Sequence, residues 1–167
     1  MDKTGSLPEL APLLSLVAIG TIADVAPLTS TNRILVKQGL AHLASPARPG
    51  LAALKEISAM EVQSPVTARD VAFRLAPRLN AAGRLGSSQP GLDLLMTSDP
   101  QQAKACAAVL ERLNQERRRI QEKMLLEAFA LVDELHTRRT IVLAKEGWHP
   151  GVVGLAAAKL SAARPFC

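Results

Sequence analysis

With 167 residues, 48% of them hydrophobic and 21% charged, the chain can bury a sizeable core and falls outside the range of disordered proteins. Three Phe, one Trp and no Tyr leave that core to Leu, Ala and Val, which favours packed helices. A formal net charge of +5 suits a polyanionic partner without requiring one, and the two widely spaced cysteines, Cys106 and Cys167, exclude a CxxC zinc motif and fit a reducing cytoplasm.

The uncharged stretch from Leu10 to Ala23 is nearer the length of a buried helix than of a membrane span, and Pro12 and Gly20 interrupt it. Its upstream flank, with Asp2, Lys3 and Glu9, lacks the positive region of a signal peptide. A cytoplasmic protein with no membrane partner is expected. From Leu10 to Val25 the residues are apolar nearly all round, which predicts a helix packed on several sides, with Asp24 at its C-terminal end. Thr29, Ser30 and Thr31 offer N-caps for a second helix through about His42. A turn over 45–50 and a short helix from 51 to about 57 follow. Ser64-Pro65-Val66-Thr67 then restarts a helix whose apolar face is Ala68, Val71, Ala72 and Leu75.

Residues 77–86 read Pro-Arg-Leu-Asn-Ala-Ala-Gly-Arg-Leu-Gly; the proline and two glycines predict a loop with free backbone N–H groups. A helix over 92–96 ends at Thr97-Ser98-Asp99-Pro100, where a cap residue followed by proline signals a new helix. No Gly or Pro occurs from 101 to 139, and Ala103, Ala107, Leu110, Leu113, Ile120, Met124, Ala128, Leu131 and Leu135 recur at spacings of three, four or seven. Unbroken, that helix would span about 55–60 Å, long enough to connect two lobes. Thr140-Ile141-Val142-Leu143-Ala144 then predicts a strand, and Gly151 to Leu155 leads into an Ala-rich helix, the opening of a βα unit.

Several residues invite a chemical role beside a structural one. Asp24 is a lone carboxylate on an apolar helix, suited either to capping the following turn or to meeting a cation. Arg74 follows Asp70 by one helical turn, the spacing of an intrahelical pair. Arg78 and Arg84 have no such local partner and flank Asn80, so guanidinium forks and backbone amides could meet phosphate oxygens. A solvated turn would ask for the same Asn and Gly. Arg117, Arg118 and Arg119, with Glu116 and Glu122 nearby, read first as a partly paired solvated helix face. His149, between Trp148 and Pro150, either packs its turn or faces phosphate at a helix N-terminus. His42 and His136 read as helix-surface residues.

Four ordered segments together resemble the RecJ exonucleases of the DHH phosphoesterase superfamily: Leu16-Val17-Ala18-Ile19-Gly20-Thr21-Ile22-Ala23-Asp24-Val25-Ala26-Pro27-Leu28 with Asn32-Arg33-Ile34-Leu35-Val36; Ala76-Pro77-Arg78-Leu79-Asn80-Ala81-Ala82-Gly83-Arg84-Leu85; Leu113-Asn114-Gln115-Glu116-Arg117-Arg118; and Trp148-His149-Pro150-Gly151-Val152-Val153-Gly154. The first alone would suggest only the superfamily, which includes pyrophosphatases and small-nucleotide phosphodiesterases. The resemblance implies an α/β protein that is α-rich here. It would comprise the C-terminal part of a DHH domain over 1–98, a connecting helix over 99–139 and the first βα unit of the DHH-associated domain over 140–167.

It further implies metal-dependent 5′-to-3′ exonucleolytic hydrolysis of single-stranded DNA in repair and recombination. Helicase or single-strand-binding proteins would be partners of the full enzyme. Asp24 would be one ligand of a manganese or magnesium pair, and Arg78, Asn80, Arg84 and His149 would contact the substrate. The remaining ligands of the family belong to an Asp-x-Asp motif, a further aspartate and an Asp-His-His motif. This chain contains no Asp-x-Asp and no adjacent histidines, so an internal piece of a longer enzyme, inactive alone, is expected. A small-nucleotide phosphodiesterase and a basic helical module binding nucleic acid or protein without catalysis are the competing readings.

Overall fold

The computed structural model describes residues 10–133 and 140–163, and among them every regular element is helical. A 3₁₀ turn, Ala11–Leu13, carries Pro12 and leads into α1, Leu14–Ala23. The α-helix is thus shorter than the expected run from Leu10 to Val25, because its entry turn is 3₁₀ and Val25, at positive φ, ends it. α1 buries Ser15, Ala18, Ile19 and Ile22, but Leu13 and Val17 remain more than a third exposed. It is thus covered round most of its circumference, as its composition predicted, with one open stripe at Val17 and Gly20.

α2, Ser30–Ala44, makes the most extensive contact with α1. A Cβ at Gly39 would overlap the Leu14 carbonyl oxygen and the Ala18 methyl, so the missing side chain sets the separation of the two helices. His42 is exposed, as expected. α3, Pro49–Ile57, starts on a proline, two residues earlier than predicted, since proline at the first helical position loses nothing by lacking an N–H.

Within α3, Lys55 is fully buried. Its ammonium donates to the carbonyls of Leu43 at 3.0 Å, Ala44 at 3.1 Å, Val62 at 2.7 Å and Ser64 at 2.9 Å. Those oxygens belong to the last turn of α2 and to the segment after α3, so one charge ties three parts of the chain together and the bonds offset part of its desolvation.

The next helical path opens with a capping box on α4, Ala68–Asp70. The Thr67 hydroxyl donates to the Asp70 carboxylate at 2.6 Å, the Thr67 N–H donates at 3.0 Å, and the Asp70 N–H returns a bond of 3.1 Å to the Thr67 hydroxyl oxygen. These Thr67 bonds, with a smaller contribution from Arg74, hold the Asp70 carboxyl below the usual carboxylate range. A lowered folded-state pKa adds stability above the unfolded-state value of about 3.9, and that stability is lost as pH falls through the folded value. Asp70→Asn is therefore expected to lower Tm at neutral pH, with the difference shrinking below about pH 4; a thermal-unfolding series across pH measures it.

The path continues through a π-helical segment, Val71–Leu75, into α5, Ala76–Leu85. This corrects the expected loop over 77–86. Pro77 would clash with the Phe73 carbonyl in a regular helix. Widening the preceding turn, with the Ala76 N–H reaching back to the Val71 carbonyl, accommodates the ring and lets the helix proceed. The backbone amides predicted to be free are consequently spent inside α5.

α6, Gln89–Met96, leads to the 34-residue α7, Pro100–Asp133, about 50 Å long. The Asp99 carboxylate accepts the Gln101 N–H at 2.9 Å, the predicted cap before Pro100. The rest of the expected helix, with His136, lies outside the described residues. α7 packs α3, α5 and α6 along its first half and α8, Pro150–Ala163, along its second. Ala103, Ala107 and Leu110 belong to the main core with α1 to α6, whereas Met124, Ala128 and Val132 belong to smaller clusters with Val152, Ala156 and Leu160 of α8.

The predicted strand over 140–144 is not formed. Ile141 and Leu143 pack toward Ala128 and Val132 while Val142 is 86% exposed, so a two-residue alternation is present. Among the described residues no second strand pairs with it, and an unpaired run forms no ladder.

Candidate nucleic-acid interface

Asp24 occupies the C-cap of α1. The Val25 N–H bonds the Ile22 carbonyl at 3.1 Å and the Ala26 N–H bonds the Thr21 carbonyl at 3.0 Å, the two bonds of a Schellman turn. The position that usually holds glycine is Val25, at φ 55°. A β-branched residue in the left-handed region costs about 1–2 kcal/mol. This strain sits directly beside the candidate ligand and is invisible in the residue types, because Val is not a turn residue. The Asp24 side chain is exposed and forms no hydrogen bond or ion pair with another described residue.

On α5, Asn80 and Arg84 lie one turn apart and so share a helix face. Asn80 is exposed and Arg84 half-buried. Arg78 belongs to another face. Its Nε donates to the Glu111 carboxylate of α7 at 2.6 Å and its Nη1 to the Arg74 carbonyl at 2.6 Å. The sequence offered Arg78 no local acidic partner, and the structure supplies a distant one: its guanidinium ties α5 to α7, with its side chain 11% exposed. Arg74 forms the expected pair with Asp70 at 3.3 Å and also donates to the carbonyls of Ser58 and Ala59.

Arg84 and His149 converge on Gly151 at the start of α8. Arg84 Nη1 donates to the Gly151 carbonyl at 3.2 Å, and the Gly151 N–H donates to His149 Nδ1 at 3.1 Å. With Nδ1 accepting, the neutral ring carries its proton on Nε2. Trp148 packs against Met124 and Ala128, and its Nε1–H donates to Glu127 at 2.8 Å. A Cβ on Gly151 would overlap the Arg84 carbonyl oxygen. Gly151→Ala must therefore push α8 from α5. It is expected to cost about 1–3 kcal/mol by overpacking, read as a lower urea midpoint.

Sequence reasoning missed a polar group on α7. The core-facing positions Ala103, Ala107, Leu110, Met124, Ala128 and Val132 are spaced by three or four, and the same spacing passes through Asn114, Arg117 and Gln121. Asn114 and Gln121 are 0% and 5% exposed. Arg117 donates to Asn114 Oδ1 and to Gln121 Oε1, both at 2.8 Å, and Gln121 Nε2 donates to the Leu155 carbonyl of α8 at 3.3 Å. Three consecutive polar residues on an otherwise apolar stripe were the available signal. Arg119 does take the solvated, paired role read for this stretch, bonding Glu116 at 2.7 Å.

Among the described residues, no three His, Cys, Asp or Glu side chains converge into a metal site. Asp24 is a hard oxygen donor suited to Mn²⁺ or Mg²⁺, but one carboxylate fits a share in such a centre, not the whole of it. No described helix is long and apolar enough to cross a membrane.

No protein-family model matches the chain. The single-stranded-DNA-specific exonuclease RecJ of Dickeya dadantii is 44% identical over 159 residues, 92% of this chain and 27% of that protein. The same-named protein of Escherichia coli is 41% identical over 165 residues, 95% of this chain and 28% of the relative. That of Bacillus subtilis is 43% identical over 157 residues, 93% and 20% of the two chains. The crystal structure of RecJ in complex with Mn²⁺ from Thermus thermophilus superposes with a TM-score of 0.87 at 41% identity, covering 95% of this chain and 24% of that one. Its Mg²⁺ complex gives a TM-score of 0.83 at 40% identity, covering 94% and 24%. The chain thus spans about a quarter of the length of these relatives.

Proposed function

The chain belongs to the RecJ family, and we propose that it contributes one metal ligand and one strand-holding face to a divalent-cation-dependent, single-strand-specific DNA exonuclease. The observation that carries this reading is the state of Asp24. An exposed carboxylate with no described bonding partner stands beside a strained residue, in a chain aligned along nine-tenths of its length with metal-binding relatives.

A bound pair of Mn²⁺ or Mg²⁺ ions would supply an activated water and stabilise the entering and leaving oxygens. Asp24 would hold part of that centre, with the other ligands coming from outside this chain. Asn80 and Arg84 would hold the strand, Arg84 through its guanidinium. Arg78 is spent on Glu111 and would act on the strand through the placement of α5. His149 would hold the N-terminal turn of α8 and offer Nε2 to the substrate.

Residues 1–98 would belong to the DHH domain, 99–139 to a connecting helix and 140–167 to the start of the DHH-associated domain, in a cytoplasmic enzyme of repair and recombination. Removal of nucleotides from the 5′ end, and helicase or single-strand-binding partners, belong to that proposal too. One carboxylate cannot hold two ions, so the chain alone is expected to be inactive.

The test is a chimaera in which this chain replaces the matching segment of the Dickeya dadantii protein. Mn²⁺-dependent digestion of single-stranded DNA, lost on chelation, is the expected result. A folded chimaera that binds DNA and does not cut it would favour a non-catalytic binding module.

A further inference from the structure

Between α7 and α8 lies a recess of about 510 Å³ lined by Arg117, Arg118, Gln121, Glu122, Leu155, Ala158 and Lys159, within the size range of ligand sites. Three cations there face one carboxylate. Arg117 is fixed by two neutral amide oxygens, those of Asn114 and Gln121, so its orientation is set while its charge is left uncompensated. Among the described residues Arg118 and Lys159 form no ion pair, and the nearby Glu116 is engaged by Arg119.

Donors exceed acceptors inside the cluster as well. Arg117 Nε and Asn114 Nδ2 are buried without an acceptor among the described residues, an uncommon state for buried polar atoms. Burial first, then the charges of Arg118 and Arg84, draws the Arg117 guanidinium below its ordinary range.

We propose that the α7–α8 recess is a second phosphate-binding site for single-stranded DNA, with Arg118 and Lys159 contacting the backbone and Arg117 held behind them by Asn114 and Gln121. The proposal rests on the strand-binding reading of Arg84 and extends the strand's path across the junction of the two cores. A purely structural strut would need Arg117 and its two amides. It would not need Arg118 or Lys159, both of which are exposed.

Binding of the intact chain to a fluorescein-labelled oligothymidylate, followed by anisotropy over a salt series, tests this. The Arg118→Gln, Lys159→Gln double variant is expected to keep the parental Tm, bind about 10-fold or more weakly, and lose about 1–2 units of the salt-dependence slope. Unchanged affinity and slope in that variant, with Arg84→Gln still weakening binding, would overturn the recess and leave the strand-binding reading intact. A parental chain that fails to bind the oligonucleotide at low salt would overturn both.

Discussion

Asp24→Ala in the chimaera is expected to lower the rate of single-strand digestion by about 10³-fold or more. Losing one anionic ligand of a two-ion site removes several kcal/mol of transition-state stabilisation, and each 1.36 kcal/mol is a factor of ten. The fold should scarcely notice. Asp24 is exposed and its side chain bonds no described residue, so the change in unfolding free energy should stay within about 0.5 kcal/mol. Loss of rate at constant stability separates a ligand from a turn-capping acid, since a cap would show the reverse pattern.

Lys55→Met is expected to be the most damaging single change to stability, at about 3–5 kcal/mol. Methionine fills much of the space but leaves the carbonyls of Leu43, Ala44, Val62 and Ser64 without the donor that now serves all four. Urea unfolding monitored by circular dichroism would read the loss as a lower midpoint.

A pH series gives an independent check. Burial pulls the Lys55 ammonium below its ordinary range, so above that lowered value the native state sheds a proton that the unfolded chain keeps until about pH 10.4. The parental chain should therefore gain stability relative to Lys55→Met as pH rises through this window. An equal pH response in the two proteins would show that Lys55 carries no such shift.

Much of this fold was legible because its signals are local. Thr67 and Asp99-Pro100 mark helix starts at the observed positions, the helix expected from 51 begins two residues earlier at Pro49, and the three-four spacing of Ala103, Ala107 and Leu110 reports a helix face whatever it packs on. The failures share a different cause. Pro77 read as a breaker because the π-helical widening that accommodates it lies upstream, in residues with no unusual composition. Nothing near Lys55 in the sequence marks it as buried, because its acceptors come from α2 and from the segment after α3. The run over 140–144 carries strand chemistry, but a strand is defined by a partner elsewhere.

The candidate site divides in the same way. Asp24, Asn80 and Arg84 stood out through residue type and motif order. The engagement of Arg78 by Glu111, 33 positions away, could not be read from neighbours. Asn114 and Gln121 were visible in principle, as polar residues on an apolar stripe. The adjacent arginines, which read as a solvated face, hid that these two amides are buried.

The most direct test of the central claim is a calorimetric Mn²⁺ titration of the chimaera beside its Asp24→Asn form. Asparagine keeps the size of the side chain and removes its charge. The account predicts that the substitution abolishes binding of at least one ion or weakens it by about 100-fold, with the Tm of the metal-free protein unchanged. Identical stoichiometry and affinity in the two proteins would contradict it.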